Sequence, residues 1–271
     1  MIDKIKTSSY FVTIYKSENN TFIRRIKRKG LHAYPRTLTL KEINKVLKNT
    51  NIKYPRLLKN CFKYVDEEYI ESTKSIEMLS NSEIENNIID IILELNEIEI
   101  KNKKIIWNNN SEFLKYIIKN FKRVLKLKNP KKLEIYLSEL ESFYKCLDND
   151  RKMWVIHGDI HKNNIIINDD NFYLIDWELA TYGDLAYELS TYFILMEYTN
   201  EEKEMFLNRL NKKLNLNLDD LKKDIEVYTL FELYRRKILK DIKGEWKIIF
   251  NNLCRRWDYE KVCACNGRDK K

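Results

Sequence analysis

The apolar residues of this chain change their spacing about a quarter of the way along it, and that change restricts the available folds more than any other feature. In the first part, Tyr10 to Tyr15 and Thr21 to Ile26 are short runs rich in β-branched and aromatic residues, the composition of half-buried strands. Lys16-Ser17-Glu18-Asn19-Asn20 separates them with turn chemistry, so a hairpin is expected. Thr39 to Leu47 sets Leu40, Ile43 and Leu47 on one side at helical spacing and Glu42 on another, which predicts a helix. Ile52 to Leu58 and Lys63 to Glu71 read as further strands, closing a small sheet near Ile70.

From Ser80 onward the period is helical. Ser82 and Glu85 form a capping-box pattern ahead of Ile84, Ile88, Ile91, Ile92 and Leu95, predicting a helix that starts near Ser82. Phe113, Ile117, Ile118, Phe121 and Leu125 mark a second helix, and Leu133 to Cys146 a third. Three short strands interrupt this lobe, at Trp154 to Ile156, Ile165 to Ile167 and Phe172 to Ile175; helices resume near Leu185, Asn200 and Asp219 and continue towards Trp257. The expected class is therefore α+β and bilobal, with a small sheet lobe carrying one helix over residues 1–72 and a larger, mainly helical lobe over 73–271. Ligands favour the crevice between such lobes.

Composition narrows the function. No apolar run approaches the roughly 20 residues of a membrane span, and the first residues lack the apolar core of a signal peptide. Five cysteines at irregular spacing, among them Cys263 and Cys265 in a polar tail, fit neither a disulfide framework nor a zinc site, so a reducing cytoplasm is expected. The net charge of +9 raises the possibility of nucleic-acid binding. However, the basic run Lys122 to Lys132 lies on and beyond the polar side of a helix, and Lys, Asn and Ile are frequent throughout. A solvated face accounts for this charge, and no nucleic-acid or membrane partner is expected.

The chemistry is concentrated in His157-Gly158-Asp159-Ile160-His161-Lys162-Asn163-Asn164 and, one strand pair later, Asp176-Trp177-Glu178. Phosphoryl transfer to a hydroxyl requires a carboxylate that takes the proton and oxygen ligands that hold magnesium against the nucleotide. Asp159 and Asn164 are five apart, the separation of base and metal-binding amide in the kinase loop H-R-D-x-x-x-x-N. An Asp or Asn in a turn more often caps nearby amides, which accounts for Asn168 to Asn171. It does not account for His-Gly-Asp before one strand and Asp-Trp-Glu after the next.

This ordered set, with Gly183-Asp184 following, resembles the signature of the aminoglycoside phosphotransferase/choline kinase superfamily, whose fold is similar to that of protein kinases. The resemblance implies Asp159 as catalytic base, Asn164 and Asp176 as magnesium ligands, and Asp184 as a brace for the catalytic loop. His157 would hold that loop in shape, and His161 would stand near the transferred phosphate. In the small lobe it implies Arg25 as the phosphate-contacting cation, paired with Glu42 on the following helix. Strand alternation sends Arg24 to the opposite face. The backbone of Tyr69-Ile70-Glu71 would meet adenine. Where kinases carry a glycine-rich turn, this chain has Thr7-Ser8-Ser9-Tyr10, so Ser8 and Ser9 are the phosphate-loop candidates. ATP and Mg2+ are the implied cofactors, with GTP left open as donor.

For the acceptor, Glu178, Glu188 and Glu197 favour a small cationic molecule if they line the rim. An aminoglycoside or related antibiotic is the first expectation and a choline- or ethanolamine-type amino alcohol the alternative, with Tyr182, Tyr187, Tyr192, Tyr234, Trp246 and Trp257 as candidates for an aromatic cage. A nucleotide-binding pseudokinase and a basic nucleic-acid binder are the readings from other classes. Monomer and dimer are both compatible with the sequence.

Overall fold

A computed structural model of the protein describes residues 2–5, 12–17, 19, 21–27, 38–61, 64–99, 109–128, 138, 140–147 and 152–241. Ser8, Ser9, Trp246, Trp257, Cys254, Cys263 and Cys265 lie outside the described residues, as does most of the segment from Leu133.

Five antiparallel strands form the first sheet: β1 (Ile2–Ile5), β2 (Val12–Ser17), β3 (Phe22–Lys27), β4 (Leu57–Asn60) and β5 (Tyr64–Glu68), in the order β1-β2-β3-β5-β4. The expected hairpin is β2–β3, with Ile14 opposite Arg25 and Tyr15 opposite Arg24. Ser17 closes its turn by accepting the Thr21 and Phe22 N–H groups at 3.0 and 3.1 Å. Helix α1 (Leu40–Leu47) lies between β3 and β4 and buries Leu40, Ile43 and Leu47, the three residues its period singled out. The strand expected over Ile52 to Leu58 begins only at Leu57. Upstream, Lys53 bridges to Tyr173 of the other lobe, and Asn44 Oδ1 accepts the Leu57 N–H at 2.8 Å.

The helices that follow are α2 (Asn81–Asn96), α3 (Asn110–Lys128), α4 (Leu185–Leu195), α5 (Asn200–Leu214) and α6 (Leu218–Asp241). The cap of α2 is Ser80 with Glu83, two residues before the expected Ser82 and Glu85. Both pairs fit the pattern, but Glu85 is buried and ion-paired with Arg209, and it accepts the Tyr198 hydroxyl at 2.8 Å. A tertiary partner outcompetes the local one. No described helix is long and apolar enough to cross a membrane.

Four short strands interrupt the helical lobe. Strand β7 (Ile165–Asn168) pairs with β8 (Asn171–Leu174) as a hairpin, while β6 (Trp154–Ile156) pairs with β9 (Thr181–Gly183) across it. The hairpin also anchors the segment leaving the first sheet: Thr73 N–H reaches Ile167 O at 2.9 Å, and Asn168 Nδ2 donates to Glu71 O at 2.8 Å. The polar residues at both ends of the hairpin are thereby fixed against residues arriving from the first sheet.

Candidate active site

The loop between β6 and β7 takes its shape from two buried groups. His157 is fully buried; its Nε2 lies 2.9 Å from Ile175 O and its Nδ1 accepts the Asp159 N–H at 3.3 Å. These partners set the tautomer, with the proton on Nε2. Burial pushes the imidazole pKa down, so the ring is neutral. The Trp177 ring packs edge-on against it at 4.6 Å. His157 therefore ties the two ends of the catalytic segment together.

The second group is Glu188 of α4, whose Oε2 accepts the Gly158 N–H at 2.8 Å. Gly158 has φ 81°, a conformation that costs glycine little. A Cβ there would stand 2.9 Å from Leu179 O. Sequence reasoning set Glu188 at the acceptor rim, but the structure buries it beneath the loop at 1 % exposure. It has no direct path to an acceptor. Asp184 is also buried, and its Oδ1 accepts the Ala186 N–H at 2.9 Å as the cap of α4.

Above these supports, Asn164 Nδ2 donates to Asp159 O at 2.9 Å and to Asp159 Oδ2 at 3.2 Å. His161 Nε2 stands 3.5 Å from the same Oδ2, while its Nδ1 accepts the Asn163 N–H at 3.2 Å. Burial works to raise the Asp159 pKa, but the hydrogen bond and charge of His161, joined by His157 and the Asn164 amide, outweigh it and hold the carboxyl below the usual range. An ionised carboxylate results, partly open to solvent.

Asp176 follows β8 in a left-handed conformation, φ 64° and ψ 52°. Its Oδ1 accepts Arg25 Nη1 at 2.6 Å, and Arg25 Nε lies 2.6 Å from Glu67 Oε2. The expected pairing of Arg25 with Glu42 is not formed: Glu42 caps α1, accepting the Thr39 N–H at 2.7 Å. Register explains the substitution. Arg25 lies opposite Val65, so Glu67, two residues on, shares its face and meets it diagonally. Arg24, on the other face, is held by Asp66 through two bonds of 2.7 Å. Burial opposes the charge on Arg25, but Glu67, Asp176 and Glu178 prevail, and its pKa is raised. Glu67 was not singled out in the sequence, where the family resemblance pointed to Glu42 alone; counting register across β3 and β5 is the signal that finds it.

Beside Asp159 opens a pocket walled by the loop, Glu178, Phe113 and Tyr116 of α3, Tyr187 of α4, and Glu232, Arg235 and Arg236 of α6. Of the expected acceptor residues, Glu178 lies in this wall, whereas Tyr182 is outside it on β9. Tyr192 is in the core and Glu197 is exposed beyond α4. The α6 residues went unread, although Glu232-x-x-Arg235-Arg236 on a largely apolar helix face was a visible signal.

The Phosphotransferase enzyme family model matches residues 5–221. The chain belongs to that family. A Metamycoplasma hominis protein described as a LicA homolog is 35% identical over 72 residues, covering 27% of each chain, so the match spans about a quarter of that relative's length. Among solved structures, a choline kinase from Cryptosporidium parvum aligns with TM-score 0.68 at 16% identity, over 98% of this chain and 90% of its own. The APH(2")-IIa of a streptomycin–ATP ternary complex aligns with TM-score 0.62 at 15% identity, over 97% and 91%. The chain has the protein-kinase-like α+β fold that these structures share, as its sequence led one to expect.

Proposed function

We propose that the protein transfers the γ-phosphoryl group of ATP to a hydroxyl of a small molecule bound in the pocket beside Asp159. The observation that carries this reading is an ionised carboxylate at the pocket, Asp159, bonded to the Asn164 amide, with a second carboxylate, Asp176, just after the same hairpin and tied to a strand cation. The cation, Arg25, stands 151 positions away from Asp176 in the chain. A turn that merely satisfied its own backbone has no reason to gather them.

The donor set suits magnesium. Asn164 and Asp176 offer hard oxygen ligands, and no group of three or more His, Cys, Asp or Glu residues that could hold a metal occurs among the described residues. Magnesium in kinases is bound in this manner, by one or two protein oxygens completed by phosphates and water. When bound, it would neutralise charge on the transferred phosphoryl group. Asp159 orients the acceptor hydroxyl and takes its proton as the new O–P bond forms and the bond to ADP breaks. Its depressed pKa keeps it ionised for that task. Neutral His157 keeps the Asp159 backbone in register, and His161 borders the carboxylate. Arg25, which holds Asp176 through Nη1, is the candidate contact for the nucleotide phosphates, and the 69–71 backbone the candidate contact for adenine.

The cationic acceptor expected from the sequence, whether aminoglycoside or choline-like, retains Asp159, Glu178 and the rings of Tyr116 and Tyr187 in its favour. Of the proteins of similar fold, one is named a choline kinase and another is seen in complex with streptomycin and ATP. ADP release with magnesium and a panel of aminoglycosides, choline and ethanolamine tests the activity. Asp159→Ala is expected to lower turnover at least about a hundredfold, and a rate like that of the wild type removes Asp159 from the mechanism.

A further inference from the structure

Arg25 is held from two sides, and only one of them belongs to its own sheet. Its Nη1 donates to Asp176 Oδ1 of the other lobe at 2.6 Å, and its Nε stands 2.6 Å from Glu67 Oε2. The second approach is a contact of opposite charges outside hydrogen-bond alignment. Both side chains are largely buried, Arg25 at 12 % exposure and Glu67 at 9 %, a setting in which a charge stripped of its partner is costly. Glu67 lies on β5, which is flanked by β3 and β4, with Ile23 and Leu57 as its partners in the ladder. Its carboxylate therefore stands on a backbone that is hydrogen-bonded along both edges.

The helix that follows β3 uses its acid differently. Glu42 accepts the Thr39 N–H at 2.7 Å, and its own N–H meets Thr39 Oγ1 at 3.2 Å, the two bonds of a capping box. A carboxylate engaged in this way follows its own helix, and a movement of α1 does not displace Glu67.

A guanidinium presents five donors in one plane. With Nε at Glu67 and Nη1 at Asp176, the two carboxylates set that plane, and the plane directs the remaining donors. From this geometry, and resting on the phosphotransferase reading above, in which Arg25 meets the nucleotide phosphates, we infer that Glu67 is the positioning residue of Arg25: the sheet itself, and not helix α1, holds the phosphate-contacting cation in place. Arg25 and Glu67 share one sheet, so their contact persists through any movement of one lobe against the other, whereas the bond to Asp176 joins the lobes and is stretched by such a movement. The phosphate end of the nucleotide site is thereby built into the sheet, and its readiness does not depend on the placement of α1.

The test reads the part of nucleotide affinity that the phosphates supply. Adenosine, and ADP with magnesium, are titrated calorimetrically into the full chain, and the ratio of the two dissociation constants separates the phosphate contribution from any change at the adenine contact. Glu67→Gln is expected to lower that ratio at least about tenfold, as when a charged hydrogen bond is misdirected, with the adenosine constant staying within about twofold. Glu67→Asp, which keeps the charge but shortens its reach, is expected to fall between Glu67→Gln and the wild type. Glu42→Gln is expected to leave the ratio at its wild-type value. In an Arg25→Gln background, adding Glu67→Gln is expected to change nothing further, because a positioning residue acts only through the group it positions.

Three results overturn the inference: an unchanged ratio in Glu67→Gln, a larger loss in Glu42→Gln than in Glu67→Gln, or full additivity of the changes at positions 25 and 67. If Glu67→Gln does not fold, Glu67→Asp takes its place in the comparison with Glu42→Gln, and a larger loss in Glu42→Gln again overturns it. Equal constants for ADP and adenosine in the wild type overturn it as well, since Arg25 then meets no phosphate. The phosphotransferase reading fails separately, if Asp159→Ala leaves turnover intact.

Discussion

Glu188 and Glu232 are the same residue type on helices packed against each other, each with 1 % of its surface exposed, yet their carboxyls shift in opposite directions. Burial pushes Glu188 up to about 7, and the N–H groups of Gly158, His157 and Ile160 do not compensate. Burial acts on Glu232 as well, but Arg235 and Arg236 outweigh it and bring the group down to about 2. The difference teaches that depth alone does not decide ionisation here. Backbone dipoles partly solvate a buried carboxylate, whereas formal charges at hydrogen-bond distance more than replace the lost water. One glutamate shapes the catalytic loop, and the other anchors a cationic wall.

The comparison breaks most visibly at Glu232. Glu232→Gln leaves two guanidinium groups facing each other in a largely buried setting, and such a loss of one partner costs about 3–5 kcal/mol. Denaturant unfolding should show it, and a change below about 1 kcal/mol means the wall is solvated well enough to stand without its anion. The second test is pH. A carboxyl whose folded value exceeds its unfolded value binds more protons in the folded state, so Glu188 makes stability fall as pH rises from about 4.5 to about 7, with no further contribution above that. The size is about 3 kcal/mol. Glu232 acts with the opposite sign, its contribution being lost as pH falls from about 4.5 towards about 2. Melting temperature measured across pH 4.5 to 8 should lose its downward slope in Glu188→Gln; an unchanged slope removes Glu188 as the cause.

The smallest effect concerns Asp176, a partly exposed carboxylate bonded to one guanidinium. Asp176→Asn keeps the shape and removes the charge. It is expected to raise the magnesium concentration needed for half-maximal turnover about tenfold. A metal titration that superimposes on the wild type would remove Asp176 from the set of proposed ligands.

Much of this arrangement was legible along the chain, for a local reason. Period and turn chemistry are properties of neighbours, so β2, β3, α1 and the hairpin β7–β8 could be read where they occur. The cluster Asp159, Asn164 and Asp176 was legible because one short hairpin carries all three. What failed were choices between equivalent local partners. Two capping boxes overlap at Ser80 to Glu85, and the burial of Glu85 against Arg209 and Tyr198 decides which forms. Glu42 was the partner expected for Arg25, and the pairing of β3 with β5 sets Glu67 beside it instead.

By itself, the order of residues determined the elements, the two-lobed class and the identity of the polar groups at the hairpin ends, because each is encoded within a few consecutive positions. Only the tertiary structure decided which charges are paired. That depends on which carboxylate lies within about 3 Å of which guanidinium, and on how much water remains between them. The placement of Glu188 under the loop and of Arg236 at the pocket wall follows from helix packing across the lobe, at separations along the chain that no pattern spans.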